Sequence, residues 1–425
     1  MILDSKLEKF IFYNVPVFLF SSLPFFLITG PFLSDLSISL ISLLFLIYCI
    51  KKQNFSYFRN KYFYFFLVFW LYLIFNTLIN NFNLDSFKIS FLYFRYGVFA
   101  IALATLLNFD YKFLKYFFYC ILICFFVLII DGFYQYFSGE NLLGVKIHKN
   151  FRVSSFFGDE LILGSYLSRL WPILFGLSLF FVDKKTKIFL FVVLIFILSE
   201  VLIFLSGERA SFFFINLSSL FIILFSKKLI KFRIVILLCS LMVIIFISFL
   251  NPGAKERIID KTINQMILEK SQKEEKIHIF SKAHTQHYIT AYKMFMDNKL
   301  FGVGVKNFRN FCDDKKYNDG YYSCSTHPHN TYIQILAETG IFGFLFLIFV
   351  LFYFCKHLLF HAYHKFKKNS YFNDFEICIL SGIAIYLWPF VPTGSVFNNW
   401  LNIILFLYFS LLLWERKPVL NYFKK

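Results

Sequence analysis

The sequence predicts an all-α polytopic membrane protein of about twelve transmembrane helices with one long outer loop. Composition, apolar run length and the placement of positive charge carry this reading. Of 425 residues, 59% are hydrophobic and 16% charged, with 66 Phe and 26 Tyr. A soluble domain is nearer 45–50% apolar and about 25% charged. Too few polar residues remain to cover a water-facing surface, which excludes a soluble enzyme and a disordered or collagen-like chain.

Twelve apolar stretches are long enough, at about 1.5 Å per helical residue, to cross a hydrocarbon core roughly 30 Å thick. They run roughly over 10–30, 32–50, 62–80, 89–108, 116–136, 160–182, 188–205, 210–226, 234–250, 336–355, 375–391 and 398–414. Their Phe and Leu content suits helices; barrel strands would alternate apolar and polar residues. The first stretch is too long for a signal-peptide core and lacks a small-residue cleavage site, so it reads as a helix.

The formal net charge of +18 would suggest nucleic acid in a soluble protein. Here its placement gives another reason. With the N-terminus inside, seven cytoplasmic segments hold 23 Lys or Arg, while the five short outer loops hold Lys88, Lys146, Lys149, Arg152 and Arg209. The positive-inside rule therefore puts both termini in the cytoplasm, and membrane lipids, not nucleic acid, are the expected surroundings. Three regions follow: helices and short loops over 1–250, a long outer loop over 251–335, and three last helices with a cytoplasmic tail over 336–425. The loop carries 13 basic and 9 acidic residues, and loops this long are usually functional. A helix is expected over 281–298, a turn at Gly302-Val-Gly304, and a mobile charged stretch over 263–276. Cys312 and Cys324, twelve residues apart, would form a disulfide in an oxidising compartment or remain free thiols. The other six cysteines read as small apolar residues of the spans.

The most informative run is HPHNTYIQILAETGIFG, residues 327–343. Pro328 suits the first helical position with His327 as cap. That puts His329 and Asn330 in a first turn whose free N–H groups make an anion site. Asn330, Gln334 and Glu338 recur every four residues, a polar stripe entering the tenth span, where a carboxylate usually faces a functional interior. His329 suits a general base because imidazole titrates near neutrality. Two other readings stay open: that His327 and His329 merely cap the helix, or that they begin a metal site whose further ligands the sequence does not display. Arg209, in SGERAS, and Arg152, in FRVSSFFG, break the outer-side scarcity of positive charge. A guanidinium there can clamp a phosphate through two N–H groups, or else snorkel or pair with Glu208, Asp159 or Glu160. Arg95 and Arg169 are expected to pair with carboxylates or to lie near span ends. His357, His361 and His364 read as surface histidines of a cytoplasmic helix end.

The run HPHNTYIQILAETGIFG, preceded by FGVGVKNF, resembles the signature of the O-antigen ligase family and its polymerase relatives. RVSSFFGDELILGSYL and SGERASFFF are similar to that family's two arginine-bearing segments, and the spans with one long outer loop resemble its general plan. The resemblance implies a GT-C-like fold in the bacterial inner membrane with a periplasmic active site. It implies transfer of a glycan from undecaprenyl diphosphate to lipid A–core or another glycan acceptor, without metal or cofactor. His329 matches the family's base and Arg209 its short-turn arginine, both catalytic; Arg152 is similar to another outer arginine. With His327, Asn330 and Glu338, Arg152 is expected to bind substrate. The family's loop arginine ahead of Gly-x-Gly has no counterpart in AHTQHYITAYKMF, where His284 or His287 stands in its place. Polymerisation of carrier-bound units and protein O-glycosylation share this chemistry. A flippase is the alternative of another class, and would show inverted repeats and midplane polar sites.

Overall fold

The computed structural model describes residues 3–80, 82–149, 151–182, 187–227, 230–250, 252–267 and 280–415. Most of the basic loop 183–187, most of the charged stretch 263–276 and nearly all of the tail 415–425 lie outside them. The protein is an all-α, multi-pass membrane protein. Among the described residues there is no strand, and the only β-type pairings are two isolated bridges, Glu140 with Lys146 and His148 with Arg152.

Helix fills each of the twelve apolar stretches. The helices are α1 (Val15–Ser21), α2 (Pro31–Lys51), α3 (Lys61–Ile79), α4 (Leu84–Leu92), α5 (Phe94–Phe109), α6 (Leu114–Ser138), α7 (Leu163–Phe181), α8 (Lys187–Leu205), α9 (Arg209–Phe225), α10 (Ile230–Leu250), α11 (Lys282–Asp297), α12 (Thr331–Phe366), α13 (Asp374–Leu387) and α14 (Asn399–Glu415). Among the described residues, seven helical segments are long and apolar enough to cross a membrane. The first stretch is not one helix: a π-helical turn leads into α1, which ends at Ser21 before a four-residue turn opened by Leu23-Pro24. Pro24 has no N–H to donate, so the backbone cannot continue one regular ladder through it.

Two hydrophobic clusters hold the chain together. The large one joins the bundle, with α5 packed on α2 and α14, and α7 on α13. The small one, Ala291, Met294, Val303, Phe308, Cys312, Tyr317 and Ala337, fastens α11 and the long loop to the outer end of α12. Two of the buried arginines are paired with carboxylates, as the cost of a bare charge favours. Arg95 pairs with Asp35 at 2.6 Å, as expected from the sequence. Arg233 pairs with Glu200 at 2.8 Å and lies 4.5 Å from the Trp171 ring centroid. Arg169 departs from the first of the two expectations, since among the described residues it meets no carboxylate. Its guanidinium bonds the Ser165 and Thr393 hydroxyls and lies between the Phe214 and Tyr386 rings, whose faces attract a cation.

The tenth apolar stretch also runs longer than hydropathy suggests, because α12 continues to Phe366. His361 there is buried, not a surface residue; its ring nitrogens meet the Phe225 carbonyl and the Phe372 amide. Nearby, Lys227 and Lys365 donate to the Lys368 and Leu224 carbonyls. Segments that the sequence assigns to the cytoplasmic side thus touch one another at this end.

The other end of α12 is built around an interruption. Gly340 has φ 63 and ψ −166, a region open essentially to glycine alone. The helix opens there, and the freed groups find partners in the loop. The amides of Val303 and Gly304 donate to the Ala337 and Glu338 carbonyls, and the Ile341 amide donates to the Lys299 carbonyl, each at 2.9 Å. Tyr72 of α3 donates to the Thr339 carbonyl, and Asn76 and Asn80 donate to the Phe301 carbonyl. Gly302, at φ +69, lets the backbones meet: a Cβ there would lie 2.5 Å from the Ala337 oxygen. The turn foreseen at Gly302-Val-Gly304 is therefore a backbone graft onto the opened helix. Cys312 and Cys324 are disulfide-bonded and close the loop just beyond it.

Gly340→Ala combines a disallowed conformation with a clash against the Leu300 carbonyl and should cost roughly 3 kcal/mol. Gly139→Ala, also at positive φ but facing open space, is the matched control. Thermal unfolding in detergent should show the first variant several degrees below the second.

Candidate functional site

Above the graft the chain turns sharply into α12. The expected cap is displaced by three residues: Asn330, not His327, is the N-cap. Its Oδ1 accepts from the Tyr332 and Ile333 amides, and its Nδ2 donates to the Pro389 carbonyl. Asn outranks His as a cap because its short amide reaches back to those amides. The correction also removes the anion site proposed at this helix end, since two of its N–H groups are already taken. Pro328 and His329 therefore precede the helix.

His329 sits at φ +57, a backbone state that few non-glycine residues adopt. Thr393, in the segment between α13 and α14, holds it there. The Thr393 amide donates to the His329 carbonyl at 2.8 Å, and the Thr393 carbonyl lies 3.3 Å from His327 Nε2. Arg169 bonds the same threonine's hydroxyl, so the buried cation steadies the clamp.

Around His329 three further imidazoles gather. Its ring centroid lies 4.1 Å from that of His327, 5.3 Å from His287 and 5.5 Å from His284. The last two come from α11, capped by Ser281, whose hydroxyl also meets His284 Nδ1 at 2.8 Å. The two turns of sequence that the family likeness singled out thus meet in space. Burial is the main cause holding the ring of His329 down to about 4, with His287 adding to it. Burial, then the neighbouring charges of His329, His287 and Arg209, sets His284 at about 4 as well. His327 falls to about 3, again chiefly through burial. At neutral pH these rings are uncharged, the state a proton acceptor needs. His287 Nδ1 is buried and unpartnered among the described residues.

A metal cage needs several ligand atoms converging on one point. Among the described residues, the one group of His, Cys, Asp and Glu whose ligand atoms lie within 4.8 Å of one another is Cys312, Asp313 and Cys324, two of which are joined in the disulfide. The imidazoles as oriented do not converge in that way, and both His327 nitrogens already face the Thr326 hydroxyl and the Thr393 carbonyl.

Arginines form the second part of the site. The turn Ser206-Gly207-Glu208 joins α8 to α9, and Gly207 takes φ +66. Arg152 Nε donates to the Ser206 carbonyl at 3.1 Å and Arg257 Nε to the Gly207 carbonyl at 2.7 Å. A Cβ on Gly207 would lie 3.0 Å from Arg152 Cγ and 3.1 Å from Arg257 Cδ, so the glycine lets two arginine stems flank one turn. Arg209 begins α9 on the same turn. Burial depresses both Arg152 and Arg257; the Arg257 charge lowers Arg152 further, whereas the Glu208 carboxylate pulls Arg257 back up. Among the described residues their outer Nη atoms have no partner.

Arg152 is anchored from below: Gln135 Oε1 accepts from the Ser154 and Ser155 amides, and Asp131 accepts from the Leu142 amide and the Ser155 hydroxyl. Glu208 does not cancel the cations by pairing alone; its carboxylate accepts from the Gly164 and Ser165 amides and the Ser211 hydroxyl. Burial raises it to about 7 despite those bonds.

Of the residues singled out in the sequence, His284, His327, His329 and Arg209 come together, with Arg152 on the shared arginine turn. Asn330 and Glu338 do not face that space. Asn330 is the cap, and Glu338 is fully buried, accepting from the Phe308 amide at 3.1 Å and Gln334 Nε2 at 3.0 Å. Its stripe positions the loop. Sequence reasoning missed Arg257, Thr393 and Asp131. Arg257 had one legible signal, as an arginine only a few residues beyond the ninth apolar stretch; the other two had none.

Fold and site together define a multi-pass membrane protein carrying a histidine and arginine site at one end of its bundle. Residues 189–348 match the family model described as O-antigen ligase. This stretch, similar to O-antigen ligase domains, runs from α8 into α12 and contains the four histidines, Arg209 and Arg257, while Arg152, Arg169, Asp131, Gln135 and Thr393 lie outside it. No curated protein matches the chain. At the level of the family, the activity is of the O-antigen ligase and polymerase type, a glycosyltransferase-like ligation on glycan and lipid-linked substrates in a membrane.

The depressed imidazoles make stability depend on pH with a definite sign. Unfolded histidine binds a proton near pH 6.5, while the folded rings do so only near 3 to 4. Between these values the unfolded chain holds more protons, so stability falls as pH drops from about 6.5 toward 4. Thermal melts across that window should show this slope, reduced in His284→Gln.

Proposed function

We propose that the protein is a periplasmic-face glycosyltransferase of the bacterial inner membrane, with both termini cytoplasmic, that moves a glycan from undecaprenyl diphosphate to lipid A–core. The observation that carries this reading is the meeting of a buried, neutral histidine cluster around His329 with Arg152 and Arg257, whose Nε atoms are fixed on one turn beside Arg209. In it, His329 accepts the proton of the acceptor hydroxyl as that oxygen attacks the anomeric carbon. The bond to the diphosphate oxygen breaks, and Arg152, Arg209 and Arg257 stabilise the charge that grows on the leaving group. Arg257 supplies the third guanidinium that the sequence of α11 lacks. His284 and His327 hold the base in place, and a positioned base is worth about 10²–10⁴-fold in rate. The arginines meet the charge that a divalent metal meets in other diphosphate chemistry, so the reading needs none.

The polymerase reading uses the same atoms, with a carrier-linked unit as acceptor. A lipopolysaccharide gel comparing wild type, a chromosomal deletion and His329→Ala separates the two. Bare lipid A–core with accumulated carrier-linked polymer is the expected outcome. Core bearing a single repeat unit would mean polymerisation, and an unchanged ladder would overturn both in favour of protein glycosylation or transport. Arg257→Gln should lower the transfer rate about 10²-fold, read as slower donor consumption by purified protein.

A further inference from the structure

Beside the Gly-Val-Gly graft, where the Asn307 amide donates to the Gly304 carbonyl, lies a cleft of about 770 Å³. Asn83, Asp85 and Lys88 of the α4 entrance line one wall, and Lys306, Arg309 and Asn310 of the loop line the other. Its walls are tied together: Asn83 Nδ2 and Ser86 Oγ both donate to Asn307 Oδ1, as does Asn310 Nδ2. Three cations face one carboxylate here, and Asp85 is itself 3.7 Å from Lys88. Lys306 is half-buried, held at φ +59, and its ammonium has no hydrogen-bond or ion-pair partner among the described residues. Arg309 Nη2 donates to the Thr326 carbonyl at 3.1 Å, and the Thr326 hydroxyl lies 2.9 Å from His327 Nδ1. His329 is therefore flanked twice, by His284 toward Arg209 and by His327 toward Arg309. A displacement needs separate seats for the nucleophile and the leaving group, and the second cationic group reaches the histidines through His327, the first through His284.

We infer that this cleft is the acceptor subsite and that it takes a glycan bearing a phosphate or carboxylate near the accepting hydroxyl, held by Lys306 and Arg309. The inference rests on the reading of His329 as the transferring base. A half-buried ammonium and a guanidinium on a single anion form charge-assisted hydrogen bonds. A neutral sugar would leave the ammonium unmatched.

Purified full-length protein in nanodiscs, titrated calorimetrically with glucose 6-phosphate, glucuronate and glucose, tests it. The phosphate and carboxylate probes should bind and glucose should not; the stronger of the two names the source of the anion. Lys306→Gln and Arg309→Gln should each weaken binding about tenfold, whereas Arg209→Gln should leave it unchanged. In transfer assays with a carrier-linked donor, the two cleft variants should raise KM for an anionic acceptor with little change in kcat or in the donor KM. Equal binding of glucose, or binding lost in Arg209→Gln and kept in the cleft variants, would overturn the subsite. An active His329→Ala enzyme with these binding differences intact would instead sink the assigned base and leave the subsite standing.

Discussion

One backbone exchange holds the candidate site in place. At Gly340 the long helix gives up its own ladder for a residue, and the loop amides of Val303 and Gly304 occupy the carbonyls so released. Each such bond is worth only about 0.5–1.5 kcal/mol net, but an unmade one at a buried position costs about 1–3 kcal/mol. The alternatives to the graft are therefore poor, and the loop has one seat. Glu338, buried beside the opening, adds the Phe308 amide to the same seat. His329, Arg309 and the disulfide all lie on chain whose position this exchange sets.

The arginine turn works by the opposite logic. Three guanidinium groups crowd a single turn, and the neighbouring carboxylate is already engaged by amides and a hydroxyl. Like charges brought together raise the free energy of the empty site. An anion that bridges them removes repulsion as well as adding attraction. Rigid supports keep the cations from escaping: the Ser206 and Gly207 carbonyls, and the loop tied down by Asp131 and Gln135.

Hydropathy made the helices legible, because every apolar stretch needed its backbone satisfied within itself. It failed at Pro24, where one residue lacks a donor, and past residue 355, where polar residues continue the helix through tertiary bonds such as those of His361. The motif around His329 pointed to the right place with the wrong cap, since periodicity does not rank Asn330 against His327. The glycines at 302 and 340 were visible as punctuation, but their purpose required knowing that they face each other. Thr393 was invisible and Arg257 nearly so for a similar reason: each gains its role from a partner at least 50 residues away.

The opening at Gly340 divides α12 into a short outer piece that travels with the loop and a long inner piece that belongs to the bundle. Helices answer a change in bilayer thickness mainly by tilting. In an unbroken rod, tilt at the inner end would swing whatever the outer end carries. Here the joint can absorb that rotation at a residue with no side chain to resist it. Tilt of the inner piece is thus not handed on by a rigid rod to the histidines that lie beyond the joint.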